Sequence, residues 1–212
     1  MEAPDRRWRK FYNRTAWAYD HALSVMGWAR GFSDRQARLH LVERLDLKVG
    51  HSVLEVSVGT GSNLVLMAAR VGPSGRLVGL DISPGMLEQS RRKLVRQGLA
   101  PLLVEGDAVN LPFAAESFDA VLHFGSFNTF SNRHQAAKEM LRVARPGARI
   151  VISAEGLRPD RRDTWMGRLM VRLNPLYEFH PPIEFIPPEV EDLNLVWYRG
   201  ALCYLVDFNK PA

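Results

Sequence analysis

Apolar positions recur along this chain first at helical spacing and then at strand spacing. Residues 5–46 read as two helices broken near Gly31 and Phe32, with Ser33 and Asp34 placed to cap the second. Within that second helix Ala37, Leu41 and Leu45 return every four residues, the spacing of one buried helix face. From residue 52 the pattern changes. Short apolar runs at 52–56, 76–80, 102–105, 118–124 and 148–153 read as strands, and 63–70, 84–97 and 133–144 as helices between them. Ser83 caps the helix in which Pro84 takes the first position, where a missing N–H costs nothing. Gly72-Pro73-Ser74-Gly75 and Pro146-Gly147 read as turns. After the proline-rich stretch 181–188, the runs 193–198 and 202–208 read as an antiparallel hairpin joined near Arg199-Gly200. The alternation predicts an α/β fold with a doubly wound, mostly parallel sheet, right-handed crossovers and a C-terminal antiparallel hairpin.

Length and composition narrow this picture. A chain of 212 residues suits a single domain, here read as a helical cap (1–46), a core (51–155) and a closing helix and hairpin (156–212). No apolar run reaches the ~20 residues of a membrane span. The charged first ten residues contain no apolar stretch of the signal-peptide kind. One cysteine, Cys203, excludes an internal disulfide, so a cytoplasmic location is expected. Net charge is +5, but the arginines are scattered, which favours a solvated basic surface over a nucleic-acid site. They are densest at 6–10, 91–93 and 158–172.

Three segments carry candidate chemistry. In Val53-Leu54-Glu55-Val56-Ser57-Val58-Gly59-Thr60-Gly61 a strand runs into a turn of small residues that opens a helix. Such a turn lets backbone approach a ligand and offers helix N–H groups to it. Glu55, just before the turn, disfavours a pyrophosphate and suits a ligand carrying an ammonium group. Asp81 falls about 20 residues after Gly61, where Rossmann-type folds place the acid that accepts from ribose hydroxyls. Asp107, in Glu105-Gly106-Asp107-Ala108, is placed to accept from an adenine amino group, with Ile82 and Ala108 on either side of the ring. Each segment alone is also a common structural turn.

Taken in order, the glycine turn, Asp81, Gly106-Asp107-Ala108, Leu111-Pro112-Phe113, Phe118-Asp119-Ala120-Val121 and Arg145-Pro146-Gly147 resemble the class I methyltransferases. The resemblance is to the ubiquinone/menaquinone-biosynthesis C-methyltransferase-like group (methyltransferase type 11), over roughly residues 11–155, with 11–20 similar to that group's opening helix. It implies a Rossmann-like fold with an N-terminal helical lid, S-adenosyl-L-methionine as cofactor, and direct in-line displacement at the sulfonium methyl. It implies cofactor contacts from Tyr19, Glu55, Ser57, Gly59, Gly61, Asp81, Ile82, Met86, Asp107, Ala108 and His123. His123, near the end of the fourth strand, is the candidate base, or else a packing histidine. Tyr12, Trp17 and Tyr19 form either an aromatic lid, which would favour a cation, or an apolar face docked on the sheet. No metal site is assigned. One departure stands out: the family has glycine where this chain has Ser57. Serine can serve there if its φ is negative, and binding is expected to be retained because Gly59 and Gly61 remain.

Asp119 and Cys203 read as structural. Trp165, Leu169 and Leu173 form a stripe at helical spacing among Arg161, Arg162, Arg168 and Arg172. The stripe is expected to pack on the sheet or cover a substrate cavity, and a membrane-surface helix is the less favoured reading. His180-Pro181-Pro182 is not the Asn/Asp-Pro-Pro-Tyr motif of nucleic-acid amino-methyltransferases, and no Pro-Cys nucleophile is present, so nucleic acid is disfavoured. The expected partner is a small apolar or aromatic acceptor. A lipid or isoprenoid-quinone acceptor at a membrane is the runner-up. A nicotinamide dehydrogenase is disfavoured by Leu64, which stands where the dinucleotide fingerprint needs Gly or Ala. A non-catalytic binder would be told apart by cofactor turnover.

Overall fold

The computed structural model describes residues 3–21 and 33–212; the expected break at Gly31 and Phe32 lies outside them. Helix α1 spans Ala3–Thr15 and α2 spans Asp34–Arg44. Ser33 caps α2 as expected, its Oγ accepting from the Gln36 N–H at 3.3 Å. The periodic residues Ala37, Leu41 and Leu45 are all buried.

Among the described residues, seven strands follow the sequence reading closely. They are β1 (Ser52–Val56), β2 (Arg76–Asp81), β3 (Leu102–Glu105), β4 (Phe118–Gly125), β5 (Ala144–Glu155), β6 (Glu191–Tyr198) and β7 (Cys203–Asn209). Between them lie α3 (Ser62–Val71), α4 (Pro84–Arg96), α5 (Arg133–Val143) and α6 (Trp165–Leu173). The sheet order is β3-β2-β1-β4-β5-β7-β6, parallel except for β7, which runs antiparallel to both neighbours. Alternate strand residues feed two cores. Val53 joins Leu41 of α2, Met67 of α3 and Leu94 of α4 on one face, whereas Leu54 joins Met140 of α5 and Phe208 on the other.

Two local expectations are corrected. Pro146 and Gly147 do not make a turn ahead of the fifth strand; they sit in a bulge within β5, where Phe118 faces Ala144 and Ala120 faces Arg149. The bulge persists because the chain end pairs with it: Gly147 N–H donates to Lys210 O and Lys210 N–H to Ala148 O, both at 3.0 Å. The Trp165 stripe of α6 does not pack on the sheet, and of its residues only Leu173 reaches the cavity. Trp165, Met166, Leu169 and Leu173 are exposed, and the helix docks instead through Gly167, where a Cβ would lie 2.0 Å from the Arg161 carbonyl oxygen. No helix among the described residues is long and apolar enough to cross a membrane.

Candidate functional site

Four parallel strands and β5 end at one edge of the sheet, and antiparallel β7 begins there. A cavity of about 560 Å³ lies along that edge, the place where open α/β sheets bind ligands. Strand ends supply Asp81 from β2, Phe124 and Gly125 from β4, Ala154 and Glu155 from β5, and Cys203 from β7. Ser57 and Gly59 contribute from the first turn, Ile82 and Met86 from the second, and Gly106, Asp107 and Ala108 from the third.

The roof is α1 with the residues after it. Trp8, Phe11, Tyr12 and Tyr19 face the cavity, with Trp8 stacked on Tyr12 and Tyr12 edge-on to Tyr19. The roof is tied across the strand ends by polar contacts. Arg9 Nε donates to the Ile82 carbonyl at 3.0 Å, and its guanidinium pairs with Glu105. Asn13 Oδ1 accepts from Ser83 Oγ at 2.6 Å and from Gly85 N–H at 3.0 Å. Gly85 is needed there because a Cβ would come within 3.1 Å of the Asn13 backbone. Trp17 is not part of the roof and is 79% exposed.

Asp81 is the organising carboxylate. Its Oδ2 accepts from Gly59 N–H and its Oδ1 from Ser83 N–H, both at 2.9 Å, so it fastens the β1 turn to the cap of α4. Burial pushes its pKa up to about 6 against the pull of those N–H groups. Each oxygen keeps a lone pair for a further donor. Asp107 is less committed, accepting from Val109 N–H at 3.2 Å. Among the described lining residues, Asp34, Asp81, Asp107 and Glu155 outnumber Arg199, so the cavity favours a cation.

Three of the sequence-selected residues are not at the cavity wall. Gly61 works behind it: at φ +78, a Cβ would lie 2.4 Å from Ser90 Oγ, so glycine lets α3 and α4 close up. Glu55 is fully buried under the first turn, where Asn63 Nδ2 donates to its Oε1 at 2.6 Å. Its Oε2 has no hydrogen-bond partner among the described residues, and burial raises its pKa to about 8. His123 is buried on β4 against Phe127 and Phe130. Its Nδ1 lies 3.0 Å from the Val56 carbonyl oxygen, so that nitrogen carries the proton, and burial holds its pKa near 4. Its Nε2 has no hydrogen-bond partner among the described residues, and the ring does not line the cavity. The condition set for Ser57 also fails: its φ is +58, the left-handed region, which costs a non-glycine residue roughly 1–2 kcal/mol.

Sequence reasoning missed Glu155, Asn174, Leu176 and Arg199 as cavity residues, and had Asp34 only as a helix cap. Arg199 Nη2 donates to Asp34 Oδ1 at 3.0 Å, and Arg38 Nε donates to Asp34 Oδ2 at 2.5 Å. No local motif marks these residues, because elements 165 positions apart in the chain bring Asp34 and Arg199 together.

Glu55 gives a pH prediction. Its carboxyl stays protonated in the fold up to about pH 8, while the unfolded chain ionises from about 4.5. Over that window the unfolded state binds fewer protons, so stability falls as pH rises, at a slope approaching about 1.4 kcal/mol per pH unit. Glu55→Gln keeps an acceptor for Asn63 and has no proton to lose. Thermal melts between pH 5 and 8 should therefore show the variant gaining on the parent as pH rises. Parallel curves would mean that Glu55 is ionised in the native protein.

Residues 54–152 match the methyltransferase domain family. A demethylmenaquinone methyltransferase from Anoxybacillus flavithermus is 32% identical over 153 residues, covering 71% of this chain. The match spans 63% of that relative's length, under two thirds of it. Among solved structures, an S-adenosylmethionine-dependent methyltransferase from Aquifex aeolicus superposes with a TM-score of 0.61 at 19% identity, covering 84% of this chain and 94% of that one. A geranyl diphosphate C-methyltransferase from Streptomyces coelicolor A3(2), solved with Mg2+, geranyl diphosphate and S-adenosyl-L-homocysteine, gives 0.67 at 12% identity, covering 84% and 79%. At these identities the two structures speak for the fold, and the sequence matches speak for the family. Residues 54–152 thus carry a methyltransferase domain of the class I, S-adenosylmethionine-dependent kind, and the chain resembles the menaquinone-type group within it.

Proposed function

We propose that this chain transfers a methyl group from S-adenosylmethionine to a small, apolar or aromatic acceptor. One observation carries the reading: the buried Asp81 carboxylate and an aromatic roof share a single acidic cavity at the carboxyl ends of the strands. The cofactor supplies an already activated methyl, which leaves binding, alignment and exclusion of water to the protein. Asp81 would accept from the ribose hydroxyls through its free lone pairs. Asp107 would accept from the adenine amino group, with Ile82, Met86 and Ala108 around the ring. The backbone at Ser57 and Gly59 would border the methionine end, and Tyr12 and Tyr19 would exclude water over a cationic centre. Glu55 and Gly61 support the turn from behind. Phe124, Phe130 and Leu176 offer the acceptor an apolar wall.

With His123 buried and neutral, the reading assigns no histidine base among the described lining residues. The reading therefore favours acceptors that already carry electron density at the reacting atom, with alignment the main contribution. Among such acceptors a quinol-like ring is favoured by the demethylmenaquinone methyltransferases that the chain resembles; it would enter as its phenolate and lose the displaced ring proton to solvent once the methyl–carbon bond has formed.

Calorimetry checks the cofactor. S-adenosylmethionine and S-adenosylhomocysteine should both bind, and NAD should not. Labelled cofactor incubated with a lipid extract and a water-soluble extract should then label an apolar aromatic product. Binding of NAD alone would end the proposal, and cofactor binding without turnover in either extract would leave a non-catalytic binder.

A further inference from the structure

The exposed face of α6 is left unexplained by the cavity. At about 3.6 residues per turn, Trp165, Leu169, Leu173 and Met166 fall within one arc of roughly 100°. Trp165 is 74% and Leu173 76% exposed, so among the described residues most of this arc faces outward, with Leu173 alone reaching the cavity lining. Arg168 and Arg172 stand together along one flank of the arc, and both are exposed. The helix contains no acidic residue. Arg168 donates to the Asp163 carbonyl at 3.2 Å, which leaves its charge without a carboxylate among the described residues. Gly167 anchors the opposite side against the preceding turn, so the arc is held outward.

We propose that this arc lies in the surface of an anionic lipid bilayer, with Arg168 and Arg172 among the headgroups and Trp165 and Leu169 at the acyl boundary. Two observations choose lipid over a second copy or another protein. The first is charge: a short helix with arginines, no acid and an aromatic at its edge is complementary to a surface that is both apolar and negative. The second is continuity. Leu173 belongs both to the arc and to the cavity lining, and Phe11, which is 51% exposed, lines the same cavity from the roof. An apolar acceptor dissolved in the bilayer would pass from lipid to the cavity along these side chains without crossing water. The proposal rests on the apolar-acceptor reading, but the vesicle sedimentation that tests it requires neither cofactor nor acceptor, and the melting temperature alone can certify the fold of the variants.

Purified full-length protein is sedimented with vesicles of phosphatidylcholine alone and of phosphatidylcholine with phosphatidylglycerol. Binding is expected to the anionic vesicles, with at least a fivefold loss in W165S/L169S and in R168E/R172E and a marked loss at high salt. Because all four side chains are exposed, both variants should keep the parent melting temperature and its affinity for S-adenosylhomocysteine, which separates loss of docking from loss of the fold. Equal sedimentation of parent and folded variants would overturn the proposal. So would absence of vesicle binding together with a dimer, seen by sedimentation velocity, that W165S/L169S dissociates; the face would then belong to a second copy.

Discussion

Asp81→Ala should weaken S-adenosylmethionine binding roughly 10- to 150-fold, corresponding to about 1.5–3 kcal/mol for hydrogen bonds to a charged acceptor. The same substitution orphans the Gly59 and Ser83 N–H groups, which now share this carboxylate at 2.9 Å. Each unsatisfied donor costs about 1–3 kcal/mol if it stays dry. Relief of the buried charge offsets part of that loss, since burial has already raised the carboxyl to about 6. The variant should therefore fold with a lowered melting temperature as well as bind weakly. Asp81→Asn separates the two effects, because its single oxygen can serve one N–H while its amide opposes the other. Calorimetry on folded protein decides the matter: unchanged affinity in either variant would mean that the cofactor does not meet Asp81.

The largest loss of stability is expected far from the cavity, at Asp207 on β7. Its side chain is 0% exposed. Arg44 of α2 donates to its Oδ2 through Nε at 2.8 Å and Nη2 at 2.6 Å, and Arg149 of β5 pairs with its Oδ1. One carboxylate thus ties a helix to two adjacent strands. Removing it leaves two part-buried guanidinium groups without their anion. Breaking a buried pair costs about 3–5 kcal/mol, and the residual exposure of Arg44 and Arg149 favours the lower end. For a chain of this size about 3 kcal/mol lowers the melting temperature by roughly 6–12 °C. Asp207→Ala should show that drop in a thermal melt while the folded protein keeps its cofactor affinity. A shift under about 2 °C would show that the pair contributes little beyond an exposed one.

Much of this architecture can be read locally. Every strand of the sheet was placed from apolar runs, and the caps at Ser33 and Ser83 from residue type, because a strand's burial and a helix's first N–H groups are satisfied by near neighbours. The carboxylate at the end of β2 and the small-residue turn after β1 were legible for the same reason: they occupy fixed positions relative to strand ends. What was not legible depended on direction rather than position. Glu55 and Ser57 are two residues apart, yet one is buried beneath the turn and the other lines the cavity. The family glycine at position 57 raised the question of φ there, but only the fold shows that Ser57 takes the left-handed conformation.

The sequence by itself determined the order of elements, the α/β class, the family resemblance carried by the ordered motifs and the acids that end β2 and follow β3, since hydrophobic period and turn chemistry are short-range. Only the tertiary structure decided which polar groups share a space. It buried His123 and Glu55 in the core, where desolvation holds both neutral near pH 7. It joined Asp34 to Arg199 and Arg44 to Asp207 across more than 160 residues. It also left the α6 stripe facing outward, although its helical spacing is that of a buried face. Periodicity records that a surface avoids water, and the packing of the whole chain decides what covers it.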